Sequence, residues 1–150
     1  DVARLSLPAE GSALVIIAGV GGDLLIELVT ALVQAHPDHI LEFILCPVYH
    51  NYKVRQELAE LGLGLIDEKL VHENRQSYEV LHLASSASGV QVEPISPVGF
   101  QMWDLSRVDH QQYLERTIRH YQRMSQRSDS GVGSISAETI VAQYSALRLS

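Results

Sequence analysis

The stretch Ala13-Leu14-Val15-Ile16-Ile17-Ala18-Gly19-Val20-Gly21-Gly22-Asp23 decides the fold of this chain. Its first six residues are all apolar, and Val15, Ile16 and Ile17 are β-branched, which predicts a strand buried on both faces, as in a parallel sheet. The run stops abruptly at the glycines. A helix starting at Asp23 or Leu24 then sets Leu25, Leu28, Val29 and Leu32 at helical spacing, and His36-Pro37 closes it, since a residue before proline avoids the helical region. A second strand over residues 40–46 ends at Pro47, and a second helix over 53–61 stops at Gly62. Strand, helix, strand, helix predicts a parallel α/β sheet.

Beyond Gly64 the pattern changes. Residues 65–72 and 78–84 read as two strands joined by a short polar linker, which favours an antiparallel hairpin. Residues 85–108 are irregular, with Pro94 and Pro97. A long helix is expected from Asp109, with Gln112 completing a capping box and Leu114, Ile118, Tyr121 and Met124 on one face. Residues 128–134 read as a flexible linker before a last amphipathic helix carrying Ile140, Val141, Tyr144 and Leu147. The expected division is an α/β domain over 1–92 and a helical extension over 93–150.

At 150 residues, 46% apolar and 19% charged, the composition is that of an ordinary globular domain with one core. Its longest apolar stretch is far too short to span a bilayer, and no basic flank precedes an apolar run at the start. The first residue is Asp, so a fragment or processed chain is expected. One cysteine, Cys46, rules out an intrachain disulfide and fits a reducing, cytoplasmic setting. A net charge of −7 argues against a protein that coats nucleic acid, but leaves room for a local basic face.

The glycine loop is the strongest chemical signal. Glycines after a parallel strand let backbone approach a ligand, and a helix start offers free amides. Gly21 or Gly22 is expected in a conformation that a side chain would obstruct. A nicotinamide dinucleotide site is excluded twice: Leu24 stands where Gly or Ala is needed, and the next strand ends Leu45-Cys46-Pro47 without an acid. A tight turn with no ligand is the plain alternative. Cys46 and His50 lack a third group to orient a thiol–imidazole pair, although the carboxyl end of a parallel strand is where ligands bind in open α/β sheets. The other histidines show no metal-ligand spacing. Arg116, Arg119, Arg123 and Arg127, with His120, share one helix face. Such a stripe is either a solvated surface or a contact for phosphates.

Together these residues resemble the bacterial tRNA adenine-N1 methyltransferases, the TrmK group and its uncharacterised relatives. Ile17-Ala18-Gly19-Val20-Gly21-Gly22 matches the family's Ile-Ala-Gly-Met-Gly-Gly. Phe43-Ile44-Leu45-Cys46-Pro47-Val48 corresponds to Leu-Ile-Leu-Gln-Pro-Asn, and Val54-Arg55-Gln56-Glu57-Leu58 to Leu-Arg-x-x-Leu. Tyr78-Glu79-Val80, Tyr113-Leu114 and His120-Tyr121 follow in order, so the resemblance covers about residues 13–126. It implies the second half of a class I, Rossmann-like sheet of order 3-2-1-4-5-7-6, with these strands as the fourth to the seventh. It implies S-adenosyl-L-methionine (SAM) as cofactor, beside Gly19, Val20, Gly21 and Gly22. It implies tRNA as substrate, with Cys46 and Pro47 near the target base and Arg116, Arg119 and Arg123 as contacts. No catalytic acid or base can be assigned.

The family's Asp-x-Gly-(Ser/Thr)-Asp-His motif occurs nowhere in the sequence, so this chain alone is expected to bind SAM weakly. The unpaired side of strand 13–18 is expected to be completed by a missing N-terminal half or by a second copy. Cys46 and Val48 replace Gln and Asn, which keeps open a methyltransferase-like protein with another substrate, or a non-catalytic binding module. A small nucleotide-binding regulator is a third alternative.

Overall fold

The computed structural model describes residues 5–8, 11–127 and 135–150. β1 (Ser12–Val20) leads through α1 (Gly22–Ala35) to β2 (Ile40–Pro47), and α2 (Asn51–Glu60) leads on to β3 (Gly64–Glu73) and β4 (Gln76–Ala84). The sheet order is β1-β2-β4-β3, with β1 parallel to β2 and β4 antiparallel to both its neighbours. That is the order of strands four to seven in a class I methyltransferase sheet.

Helices α1 and α2 cover one face of this sheet. Leu25 and Val29 of α1 meet Phe43 and Leu45 of β2 and Leu81 and Leu83 of β4, all fully buried. β1 departs from the expected burial on both faces. Ala13, Val15 and Ile17 pack on the core, while Leu14 and Ile16 are 59% and 67% exposed. Alternation along a strand sends these two to the other face, where no described element covers them. Ile44 and Cys46 of β2, in register with Ile16 and Ala18, lie half-buried beside them. Among the described residues, no strand pairs with the other edge of β1.

The strand also runs further than residue 18. Gly19, at φ +73°, forms a bulge that moves the register from Ala18–Cys46 to Val20–Pro47, a backbone state suited to glycine. At the end of α2, Gly62 takes φ +80°, its amide bonding Ala59 O and that of Leu63 bonding Leu58 O. These two bonds satisfy carbonyls that the helix would leave open. The hairpin strands extend until only Asn74 and Arg75 join them, both left-handed at φ +49° and +64°.

Residues 93–102 are fastened to this sheet. Leu65 and Glu93 exchange backbone bonds of 2.7 and 2.8 Å. Arg55, 1% exposed on α2, donates to Glu68 Oε2 at 2.7 Å and to Glu79 Oε2 at 2.8 Å. It also reaches Ser96 O, and Glu68 Oε1 accepts the amides of Phe100 and Met102. Burial opposes the charge on Arg55 and on Glu68. The two carboxylates nonetheless hold Arg55 above its ordinary range, while Arg55 and the two amides hold Glu68 below its own.

The chain divides into two compact units, Asp1–Met102 and Trp103–Ser150. In the second, α3 (Val108–Gln126) buries His110, Leu114 and Ile118, and α4 (Ala137–Ala146) buries Ile140 and Tyr144. Tyr121 stacks on Tyr144 with ring centroids 5.9 Å apart. Met124, expected on the packed face, is 49% exposed. The capping box is also corrected. The helix begins one residue earlier, at Val108, and Asp109 lies in its first turn, where it accepts two bonds from Arg107 that pull its carboxyl down to about 2. Ser136 does cap α4, accepting from the Thr139 amide. The linker expected at 128–134 lies outside the described residues.

Buried His110 accepts the Asp104 amide on Nδ1 at 3.0 Å, which requires the neutral ring. Burial, then Arg107, pushes its pKa below the ordinary 6.5. Stability from this group is therefore complete above the unfolded pKa and is lost as pH falls through the folded one. Thermal unfolding followed by the single tryptophan, Trp103, which stacks on Tyr113 in this unit, should be flat above pH 7 and weaken below about pH 6. His110→Gln should flatten that decline; an unchanged pH profile in the variant would remove His110 as its cause.

Candidate functional site

Two loops meet at the carboxyl ends of β1 and β2. Gly21, at φ −65° and ψ 155°, is the N-cap of α1, and the helix starts at Gly22, earlier than expected. A Cβ on Gly22 would lie 2.6 Å from Tyr49 O and 2.6 Å from Val54 Cγ2, so the start of α1 is pressed against the β2–α2 connection. The Val48 amide donates to Val20 O at 3.1 Å, fastening the same loops from the strand side. Asp23 and Lys53 close the contact with a 2.9 Å ion pair, which lowers the Asp23 pKa and raises that of Lys53. Steric obstruction, expected at Gly21 or Gly22, falls on Gly22. A Cβ on Gly21 meets nothing within 4 Å, and the same holds at Gly19.

Cys46 is half-buried on the open sheet face. Burial, then the charge of Glu79, pushes its thiol up, the opposite of what a nucleophilic thiolate needs. Pro47 is buried opposite Val20. Next to them Tyr49 is 67% exposed, and His50 sits in the left-handed region at φ +61°. Tyr49 and the Asp23–Lys53 pair are parts of this end of the sheet that pattern reading missed. A tyrosine placed just after the strand-ending Cys46-Pro47-Val48 was the available signal.

Arg116, Arg119 and Arg123 on α3, and Arg127 at its C-cap, are all exposed, the three helical ones on the side away from His110, Leu114 and Ile118. Arg119 pairs loosely with Glu115 at 3.6 Å, and no carboxylate occurs between residues 116 and 127. The stripe belongs to the helical unit and the glycine loop to the sheet unit.

The remaining histidines serve other ends. His36 and His39 donate from Nε2 to Leu5 O and Pro8 O at 3.0 and 2.6 Å, holding the lead-in segment. They border a cavity of about 480 Å³ at the amino ends of β1 and β2, away from the glycine loop. His82 bonds Glu42 at 2.9 Å across β4 and β2. Among the described residues no three or more His, Cys, Asp or Glu side chains gather as a metal site, and no helix is long and apolar enough to cross a membrane.

A family profile described as a methyltransferase domain matches residues 3–81, more than half of the chain. No curated protein matches it. Among solved structures, Sp1610 of Streptococcus pneumoniae, a candidate tRNA (m1A22) methyltransferase, is similar with a TM-score of 0.62 at 14% identity, over 91% of this chain and 60% of its own. The B. subtilis m1A22 tRNA methyltransferase TrmK gives 0.52 at 20% identity, over 89% of this chain and 59% of its own. M. capricolum TrmK, solved with S-adenosyl-homocysteine, gives 0.56 at 13% identity, over 91% and 58%. The chain thus spans about three-fifths of the length of these relatives. At such identities the likeness shows a shared fold, and the family match says what that fold is here. The chain belongs to the methyltransferase domain family.

Proposed function

We propose that the chain is the glycine-loop half of a SAM-dependent enzyme that methylates adenine N1 of tRNA. The observation that carries this reading is the junction of Gly19–Gly22 with Tyr49, at the carboxyl end of the parallel pair and next to an open strand edge. In an open α/β sheet that end receives the ligand. The residues fit one wall of a SAM site. Space stands open over Gly19 and Gly21, and the first amides of α1 would favour an anionic group such as the cofactor's carboxylate. Asp23 is engaged by Lys53, so a carboxylate for ribose hydroxyls has to come from elsewhere. A preceding segment with strands one to three would supply it, pair with β1 and cover Leu14 and Ile16.

When bound, SAM would supply an electrophilic methyl group on its sulfonium. Adenine N1 carries a free lone pair, so the protein has to align the base and exclude water, with no proton to remove first. Extrusion of the base would bring it to the rim formed by Cys46, Pro47 and Tyr49. Cys46 and Val48 offer no amide to a base edge, whereas the exposed Tyr49 ring offers a stacking surface. The stripe Arg116, Arg119, Arg123 and Arg127 would hold tRNA phosphates.

Full-length protein, SAM and an unmodified tRNA transcript test this directly, with 1-methyladenine read by mass spectrometry of the digested RNA. Methylated adenine is expected. In the quadruple Arg→Gln variant of the stripe, the slope of log affinity against log salt should flatten by about 3. Methyl transfer to protein or small molecules only would redirect the substrate, and an unchanged slope would return the stripe to a solvated surface.

A further inference from the structure

The β3–β4 hairpin extends beyond the strands that carry the glycine loop. Leu45 of β2 is in register with Leu81 of β4, which places the last residue of β2, Pro47, level with Glu79. The hairpin continues past that level to Gln76 and turns through Asn74-Arg75. At about 3.3 Å per residue its tip stands roughly 10 Å beyond the carboxyl end of the parallel pair. Below the tip, His72 Nδ1 and Ser77 Oγ lie 3.1 Å apart across the two strands, so the ladder is closed up to the turn.

Arg75 occupies the tip at φ +64°. A two-residue turn with two left-handed positions prefers glycine second, as in Asn-Gly, because any side chain there is strained. The arginine side chain is exposed, so burial does not offset that strain. Nor does the arginine pair with an acid. Between residues 11 and 102, Lys53 is paired with Asp23, Arg55 with two glutamates and Lys69 with Asp67, and among the described residues Arg75 is the one cation there with no carboxylate partner. A strained, unpaired guanidinium is thus held over the ligand end of a chain with a net charge of −7.

We propose that Arg75 contacts a phosphate of the RNA strand that presents the target base, so that the hairpin tip is a positioning element of the site. This rests on the RNA-methyltransferase reading above. An extruded nucleotide carries its phosphates outward from the target edge, and a planar guanidinium suits that anion. Strain and binding then make opposite demands at one residue, and this gives the test.

In the full-length protein, Arg75→Gly should raise the thermal midpoint by a few degrees, about 2–4 °C, by relieving the left-handed side chain. The same variant should bind an unmodified tRNA transcript several-fold more weakly, with the salt slope flatter by about one. Arg75→Lys keeps the charge and should retain the slope. If Arg75→Gly binds as tightly and as salt-dependently as wild type while the Arg stripe variant does not, the hairpin contact is overturned and the RNA reading stands. If wild-type protein shows no salt-dependent affinity for the transcript, both fall.

Discussion

Arg55→Met should cost about 3–5 kcal/mol of unfolding free energy, because it breaks the buried pairs to Glu68 and Glu79 and leaves the Glu68 charge without its guanidinium. Against an ordinary stability of about 5–15 kcal/mol, that is enough to leave a large unfolded fraction or to release residues 96–102 from the sheet. Methionine matches the volume and the apolar stem of arginine, so the deficit reports charge and not a cavity. Its pH dependence carries a sign. Without Arg55, burial would hold Glu68 above its unfolded value, and stability would return as pH falls and it accepts a proton. Urea unfolding at pH 7.5 and pH 5.5 reads both effects. A variant as stable as wild type at both pH values would mean that the cluster contributes specificity of packing and no net stability.

The glycine pair gives the second large effect, with different outcomes at adjacent positions. Gly22→Ala drives a methyl group against the Tyr49 carbonyl, a backbone atom that cannot step aside as the Val54 methyl can. A stability loss of about 1–3 kcal/mol is expected, typical of an overpacked contact. A Cβ on Gly21 meets nothing within 4 Å, so Gly21→Val should stay folded and lose mainly the N-cap preference for glycine, about 1 kcal/mol. If SAM occupies that space in the full-length enzyme, methyl transfer should fall at least about 100-fold in this same well-folded variant. Wild-type turnover in Gly21→Val would reduce the loop to a turn that links strand and helix.

Where local sequence and tertiary placement agree, the fold was legible. The run 13–18, the glycines and the proline stops at 37 and 47 announced a parallel βαβ unit, and the closely spaced strands after Gly64 announced the hairpin. Strand order came from the resemblance, since periodicity does not say which strands become neighbours. Burial of β1 was misread because hydrophobicity reports what a strand is suited to, while exposure depends on what lies against it. The site was less legible. Gly22 and Gly21 look alike in sequence and differ by which of them faces the Tyr49 carbonyl, a contact across 27 residues. Arg55 stood three residues from both Tyr52 and Leu58, on the buried side of α2. A charge at that spacing was a sign of a buried partner, although nothing local could name Glu68 and Glu79.

The interior place of β4 has a kinetic consequence. The hairpin is closed by a two-residue turn and the βαβ unit by a helix, so each half can form from neighbouring residues within microseconds to milliseconds. Their strands join along the short seam where Glu42–Leu45 runs beside Leu81–Ala84, under the core-facing side of α1. That seam closes a long loop and draws together the fully buried Phe43, Leu45, Leu81 and Leu83, so it should be the late, rate-setting event of folding. In the folded protein it is also the line along which amides would exchange together. The glycine loop rides on one side of it and Arg75 on the other, so parting along the seam would separate the two.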